Sequence, residues 1–287
     1  MALAGLTIIG ESINDSVPST KKLFDANDLA GIVELARSQD VQGAAYIDVN
    51  VGPRSPAFMA EMVGKIQGIT TKPLSIDTPD PAIAQAGLKA YNLTRAGGKK
   101  PILNSISALR GAMFELVKVQ PFRPILLVSE QVIDGRSRPC RTAAETHAAA
   151  RDLVARARAA GIGNDDCIID PGIAPIGSDA EGNLKRLIAA MELIHRDADL
   201  AGVHMSVGLS NFTVMLPPKR GDGSPVRGPL ESAFLTKAMP LGLDMVIGSV
   251  KRNYQQLTAG HPALACLEDC LKLDGFEAIM RVREFYV

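Results

Sequence analysis

Leu74-Ser75-Ile76-Asp77-Thr78 is a short apolar run that ends in a carboxylate, and a helix-like segment starts directly after it at Asp80. The pattern recurs along the chain. Ala45-Tyr46-Ile47-Asp48-Val49-Asn50 ends in polar groups, and Pro101-Ile102-Leu103-Asn104 ends in an amide. Cys167-Ile168-Ile169-Asp170 ends in a carboxylate before Pro171-Gly172, and the run from Val203 closes on Gly208-Leu209-Ser210-Asn211. An apolar strand closed by a polar side chain and followed by a helix is the unit from which a (β/α)8 barrel builds a site at its C-terminal rim.

The length of 287 residues fits one such barrel, which typically takes about 250 residues. Hydrophobic residues make up 46% of the chain, aromatics only 4%, and Trp is absent. A core of Ala, Ile, Leu and Val suits parallel strands covered by helices. Lys plus Arg equals Asp plus Glu, at 31 each, so nothing pulls the chain generally toward nucleic acid or an anionic membrane. Cys140, Cys167, Cys266 and Cys270 form no C-x-x-C pair and read as reduced core thiols. Met1 to Gly10 lacks a basic leader and no apolar run is long enough to span a bilayer, so the expected location is the cytoplasm.

Eight strand–helix alternations follow in order, with no break in composition. Leu6 to Ile9 reads as the first strand, running into a polar loop, Gly10 to Asn14. Asp25 or Asn27 is the expected cap of the helix carrying Leu29, Ile32, Val33, Leu35 and Ala36. The later strands are placed at Tyr46–Val51, Leu74–Thr78, Ile102–Asn104, Pro124–Val128, Cys167–Asp170, Val203–Val207 and Leu243–Ile247. A helix is expected from about Arg110 to Val119, and Thr142 caps another over Ala143–Ala160. The long charged segment Ser129–Arg141 reads as a loop over the site, Met215–Pro229 as a Pro- and Gly-rich loop, and the chain from Tyr254 as helical. The expectation is one domain, residues 1–287, folded as a closed parallel barrel. The rival doubly wound sheet lacks its G-x-G-x-x-G turn after the first strand.

Asp77, Asn104, Asp170 and Asn211 stand at the ends of the third, fourth, sixth and seventh strands, all on one rim. Two carboxylates and two amides make a poor metal set, and no bound metal is expected; His204 sits inside a strand and reads as structural. They suit a flat heterocycle, because a carboxylate accepts from two adjacent N–H groups and an amide both donates and accepts. The bland alternative for each is a helix cap. Glu11 has no evident capping role, and Asp48 and Asn50 are weaker candidates because the Gly52-Pro53 turn accounts for Asn50. Arg54, Arg220 and Arg227 fall in rim loops where they could meet a ligand's anionic tail. No phosphate loop, nucleophile elbow or H-E-x-x-H occurs.

Gly10-Glu11-Ser12-Ile13-Asn14, Asp48-Val49-Asn50-Val51-Gly52, Ser75-Ile76-Asp77-Thr78, Leu103-Asn104-Ser105, Ile169-Asp170-Pro171 and Gly208-Leu209-Ser210-Asn211 together resemble the pterin-binding methyltransferases. That family moves a methyl group between N5 of methyltetrahydrofolate and the cobalt of a corrinoid protein. The resemblance runs from about Leu6 to Ser249. It implies a dihydropteroate-synthase-like TIM barrel, with Asp77, Asn104 and Asp170 on the pterin and Asn211 as a mobile amide near N5. It implies Glu11, Asp48, Gly208, Arg227 and Ser249 as further substrate-binding positions, and Asn211, Asp77 and Asp170 as the catalytic set.

The resemblance also implies tetrahydrofolate or 5-methyltetrahydrofolate as substrate, cobalamin carried by a separate corrinoid protein, and a homodimer. The chain has no corrinoid-binding Asp-x-His-x-x-Gly tag, so the partner must dock on the rim, with Ser129–Arg141 and Met215–Pro229 as the expected contacts. Two departures from the iron–sulfur pathway enzyme stand out: Val214 replaces a glutamine three residues after Asn211, and the following loop is longer. Dihydropteroate synthase expects basic residues after the seventh strand, where this chain has Ser210-Asn211-Phe212, and a lysine after the Asp-Pro-Gly of the sixth strand, where it has Ile173-Ala174-Pro175-Ile176. Methyl transfer is therefore favoured over pteroate synthesis, with a non-catalytic folate-binding protein as the other reading.

Overall fold

The computed structural model describes residues 3–287; Met1 and Ala2, which the expectations about the leader and the domain span include, lie outside it. Eight parallel strands close into a barrel. They are β1 (Thr7–Asn14), β2 (Tyr46–Asn50), β3 (Leu74–Asp77), β4 (Ile102–Ile106), β5 (Arg123–Leu127), β8 (Ile168–Asp170), β9 (His204–Gly208) and β10 (Leu243–Gly248). Two more, β6 (Glu130–Ile133) and β7 (Arg136–Pro139), form a separate antiparallel hairpin. Around the barrel the order is β1-β10-β9-β8-β5-β4-β3-β2, so the first and last strands pair and no edge is left. The expected TIM barrel is what the chain forms.

Helices α1 (Pro18–Asp25), α2 (Leu29–Val41), α3 (Pro56–Gln67), α4 (Pro81–Ala90), α5 (Ala143–Ala159), α6 (Asn183–Arg196), α7 (Leu209–Thr213), α8 (Arg227–Ala238), α9 (Pro262–Cys270) and α10 (Gly275–Tyr286) complete the fold. Their starts follow local chemistry. The Asp80 carboxylate accepts from the backbone N–H groups of Ala82 and Ile83, and Pro81 opens α4 with a ring that needs no hydrogen bond. Thr142 and Glu145 form a reciprocal capping box on α5. The Asp179 carboxylate accepts from the N–H groups of Asn183 and Leu184 at the start of α6.

Two apolar layers hold the barrel. One fills the space between strands and helices, with Ile47, Met59, Met62, Ile76, Leu103, Val207, Phe234 and Val246 among its fully buried members. The other plugs the barrel interior with Ile9, Tyr46, Ile102, Ile125, Ile168 and Met245. Side chains alternate across a strand, so each plug residue fixes which face its neighbour two positions on will present.

The structure departs from the sequence reading in several places. Gly10–Asn14 is not a loop: β1 continues through it, and past Gly10 its pairing to β2 shifts register. Gly10 is required there because a β-carbon would lie 2.4 Å from Oε1 of Gln39, the oxygen that accepts from the Ser12 N–H. Helix α1 was not anticipated, and Asp28, rather than Asp25 or Asn27, caps α2 through the Gly31 N–H. Ala108–Lys118 is a 3-10 segment, with Arg110 outside helical geometry. Ser129–Arg141 is mostly the exposed β6–β7 hairpin, and of it only Ser129 reaches the barrel mouth. The chain after Tyr254 turns helical only at Pro262.

Candidate active site

A cavity of about 910 Å³ opens at the C-terminal ends of the strands. Its floor is a direct product of strand periodicity. Two residues beyond the plug residues Ile9, Tyr46, Ile102, Ile125, Ile168 and Met245 stand Glu11, Asp48, Asn104, Leu127, Asp170 and Ile247, and all six line the cavity. Asp77 lines it from the end of β3, next to its register partner Asn104 on β4. Gly208, Ser210 and Asn211 enter from the end of β9 and the start of α7. Ser249 and Lys251 follow β10 on the wall, and Arg227 comes from the first turn of α8.

The structure therefore brings all nine expected site residues, Glu11, Asp48, Asp77, Asn104, Asp170, Gly208, Asn211, Arg227 and Ser249, to one cavity. It does not bring Arg54 there. That guanidinium pairs with Asp15 at 2.6 Å and stacks over the Phe24 ring. Arg220 lies over the Phe285 ring instead. Arg227 reaches the cavity with part of its guanidinium committed, since Nε and Nη2 both donate to the Leu216 carbonyl.

Asp77 is not a helix cap; Asp80 has that task. The Asp77 carboxylate accepts from Nδ2 of Asn50 at 2.8 Å, while Oδ1 of Asn50 accepts from the Gly52 N–H. Asn50 thus does more than form its turn, and the alternation that placed Asp48 also placed it. Asp170 has one local role, accepting from the Gly172 N–H through Oδ1, and Arg186 clamps that turn by donating to the carbonyls of Pro171 and Gly172. Asp48 is 1% exposed, and neither of its oxygens has a partner among the described residues. Lys251 escaped the sequence reading; it stands in the turn after β10, where its N–H donates to the Ser249 hydroxyl and strand periodicity gives no signal.

Burial in the mouth raises the carboxyl pKa of all four acids. Burial raises the carboxyl pKa of Glu11 and of Asp77, with Asn50 and Arg110 pulling Asp77 the other way. Burial first and the neighbouring Asp77 charge second push Asp48 well above the usual carboxylate range. Burial lifts Asp170 to about 6 against the Gly172 N–H and Arg186. Asp48 has no donor, and Glu11, Asp77 and Asp170 have one apiece, from Ser210, Asn50 and the Gly172 N–H. A buried carboxyl without a partner is costly, and a ligand presenting several N–H groups would relieve that cost. Leu127, Ile173 and Ile247 supply an apolar wall for a ring. The Asn211 side chain is exposed in the mouth and makes no hydrogen bond to the described residues.

The chain is similar to known proteins in sequence and in fold. The family described as "Pterin binding enzyme" matches residues 13–248. The chain is 27% identical, over 249 residues covering 84% of each protein, to a methylcorrinoid:tetrahydrofolate methyltransferase of Eubacterium limosum. Its fold is similar to that of Xanthomonas albilineans dihydropteroate synthase solved with 4-aminobenzoic acid, with a TM-score of 0.56 at 16% identity, covering 96% of this chain and 92% of that one.

Proposed function

Because the chain belongs to the pterin binding enzyme family, we propose that it is a methyltransferase that moves a methyl group between N5 of a tetrahydrofolate and the cobalt of a corrinoid carried by a separate protein. The observation that carries this reading is the convergence of buried, donor-poor carboxylates with one unengaged amide, Asn211, around a single mouth. The similarity to a methylcorrinoid:tetrahydrofolate methyltransferase supports it.

In this reading Asp77, Asp170 and Asp48 accept from the N–H edge of the pterin, and Asn104 donates or accepts beside them. The apolar wall takes the ring face. N5 then points outward, toward Asn211 and the open rim. In the direction of folate methylation, the N5 lone pair forms the new bond to carbon. The carbon–cobalt bond breaks with its electron pair left on the metal as cobalt(I), and the N5 proton is released. In the other direction N5 leaves as its bond to carbon breaks, and it needs a proton or a strong hydrogen bond. The Asn211 amide supplies a hydrogen bond that strengthens as charge shifts on N5, so its contribution falls in the transition state rather than in binding. Alignment of two large reactants is the rest of the catalysis.

We assign the whole of residues 1–287 to this one pterin-binding unit, acting as a homodimer in the cytoplasm. Among the described residues no helix is long and apolar enough to cross a membrane. The reading is tested by mixing the protein with methyltetrahydrofolate and cob(I)alamin and following the visible spectrum of methylcobalamin. Folate binding without that spectrum would leave a non-catalytic folate binder. Consumption of p-aminobenzoate would point to a pteroate-forming synthase instead.

A further inference from the structure

Helix α7, which carries Asn211, has only five residues. So short a helix has no stability of its own, and its position is set by what it touches. Asn211 faces the mouth, while Leu209, Phe212 and Thr213 are buried. The Phe212 ring packs on Phe234 of α8 with centroids 5.1 Å apart. Ser210 donates to Oε2 of Glu11 at 2.7 Å, and Thr213 donates to Oε1 of Glu231 at 2.5 Å. The two hydroxyls tie the helix to carboxylates of two different elements, β1 and α8.

Glu231 is an unusual residue to find in a barrel wall. It is 0% exposed and does not line the cavity. Arg252 pairs with the same oxygen that Thr213 uses, Nη1 to Oε1 at 3.0 Å, and Oε2 has no partner. Burying a carboxylate is unfavourable unless its partners offset the lost hydration. An apolar side chain would fill this position more cheaply, so its placement against α7 calls for a role in geometry rather than in packing.

We propose that Glu231 is a positioning residue: through Thr213 it clamps α7 and so fixes the Asn211 amide in the mouth. The clamp rests on the methyltransferase reading only for its effect on turnover; the geometry stands without it. The charged groups that face Glu231 are Glu11 from β1, Arg227 from its own helix, and Arg252 after β10, with Tyr254 beside them. Burial lifts Glu231 to about 7; Thr213 and then Arg252 oppose the shift, and Glu11 adds to it. The ionised carboxyl is the better acceptor for the Thr213 hydroxyl and the only form Arg252 holds by charge. The clamp therefore tightens as the pH rises through about 7.

The test uses the full chain and two readouts. Amide hydrogen exchange over residues 209–214 is compared in wild type, Thr213→Val, Thr213→Ser and Glu231→Gln, and methyl transfer and tetrahydrofolate affinity are measured on the same samples. Thr213→Val and Glu231→Gln should each speed exchange in that segment alone. Each should lower turnover about 10- to 100-fold with folate affinity unchanged, and the double variant should be no worse than either single. Thr213→Ser, which keeps the hydroxyl, should behave as wild type. The rising limb of turnover near pH 7 should vanish in Glu231→Gln. Unchanged exchange in Thr213→Val, additive losses in the double variant, or equal losses of affinity and turnover would overturn the clamp. If Glu231→Gln fails to fold, the Val and Ser pair at Thr213 decides alone. Wild type that binds folate but transfers no methyl would overturn the functional reading, while the exchange data would still decide the clamp.

Discussion

A β-carbon on Gly208 would lie 2.8 Å from Nδ2 of Asn211. Gly208 has φ −73°, which any residue adopts, so the glycine is there for space and not for backbone freedom. It lets the Asn211 amide fold back over the end of β9. Gly208→Ala should therefore leave folding intact and displace the amide. We expect turnover to fall about tenfold or more, with tetrahydrofolate affinity within about a factor of two by the same argument. Stopped-flow methyl transfer beside equilibrium titration separates the two. An unchanged rate would mean that the amide's position is not set there.

Asp170 gives the pH dependence of binding. Its carboxyl is lifted to about 6 by burial, above its unfolded value. If its ionised form holds the pterin, affinity should be flat above about pH 7 and fall as the pH drops through 6. Asp170→Asn should bind more weakly and lose that limb. The stability effect has the opposite sign. A carboxyl whose folded pKa is raised destabilises the ligand-free protein as pH rises from its unfolded pKa through about 6. Asp170→Asn should therefore melt at a higher temperature than wild type at pH 8, with the gain shrinking as the pH falls below about 6 and lost near pH 4. Thermal melts across that range check it.

Asn50 carries the third expectation. Its amide donates to Asp77 at 2.8 Å and holds that carboxyl down against the upward pull of burial. Asn50→Ala should raise the Asp77 pKa and leave a buried acceptor short of a donor, at a cost of about 1–3 kcal/mol. Folate affinity should weaken about tenfold at pH 7, and weaken further as the pH falls. Equal affinity at all pH values would show that Asp77 does not need its neighbour.

Met215 and Val214 follow Asn211 and are 67% and 53% exposed at the rim. If this edge receives the corrinoid protein, Met215→Glu should slow transfer with the protein-bound corrinoid while leaving the rate with free cob(I)alamin unchanged. Equal slowing with both would move the docking face elsewhere.

Most of the barrel and its mouth was legible in the sequence, for a physical reason. Strands such as Ile168-Ile169-Asp170 change from apolar to polar where the barrel interior gives way to the rim, so the switch marks strand end and site together. Strand ends pointed to Asn104, while Glu11, read in a loop, and Asp48 were reached through the family resemblance; the alternation that aims Glu11 and Asp48 at the mouth shows only once β1 is seen to run on past Gly10. What escaped reading depended on neighbours distant in sequence. Nothing near Arg54 announces that Asp15 and Phe24 will claim it. Glu231 looks like an ordinary helix-surface acid until Thr213 and Arg252 close on it. The hairpin Glu130–Pro139 reads as a loop in sequence because its strands are short, charged and mostly exposed, with no buried face to give an alternating pattern.

The pairing of β1 with β10 has a bearing on biosynthesis. Glu11 emerges from the ribosome more than two hundred residues before Ser249, yet both line the same cavity. A nascent chain that has not yet delivered Leu243–Gly248 has an unclosed sheet and a mouth without Ile247, Ser249 and Lys251. Prematurely terminated products would present the cell with bare strand edges for chaperones to manage.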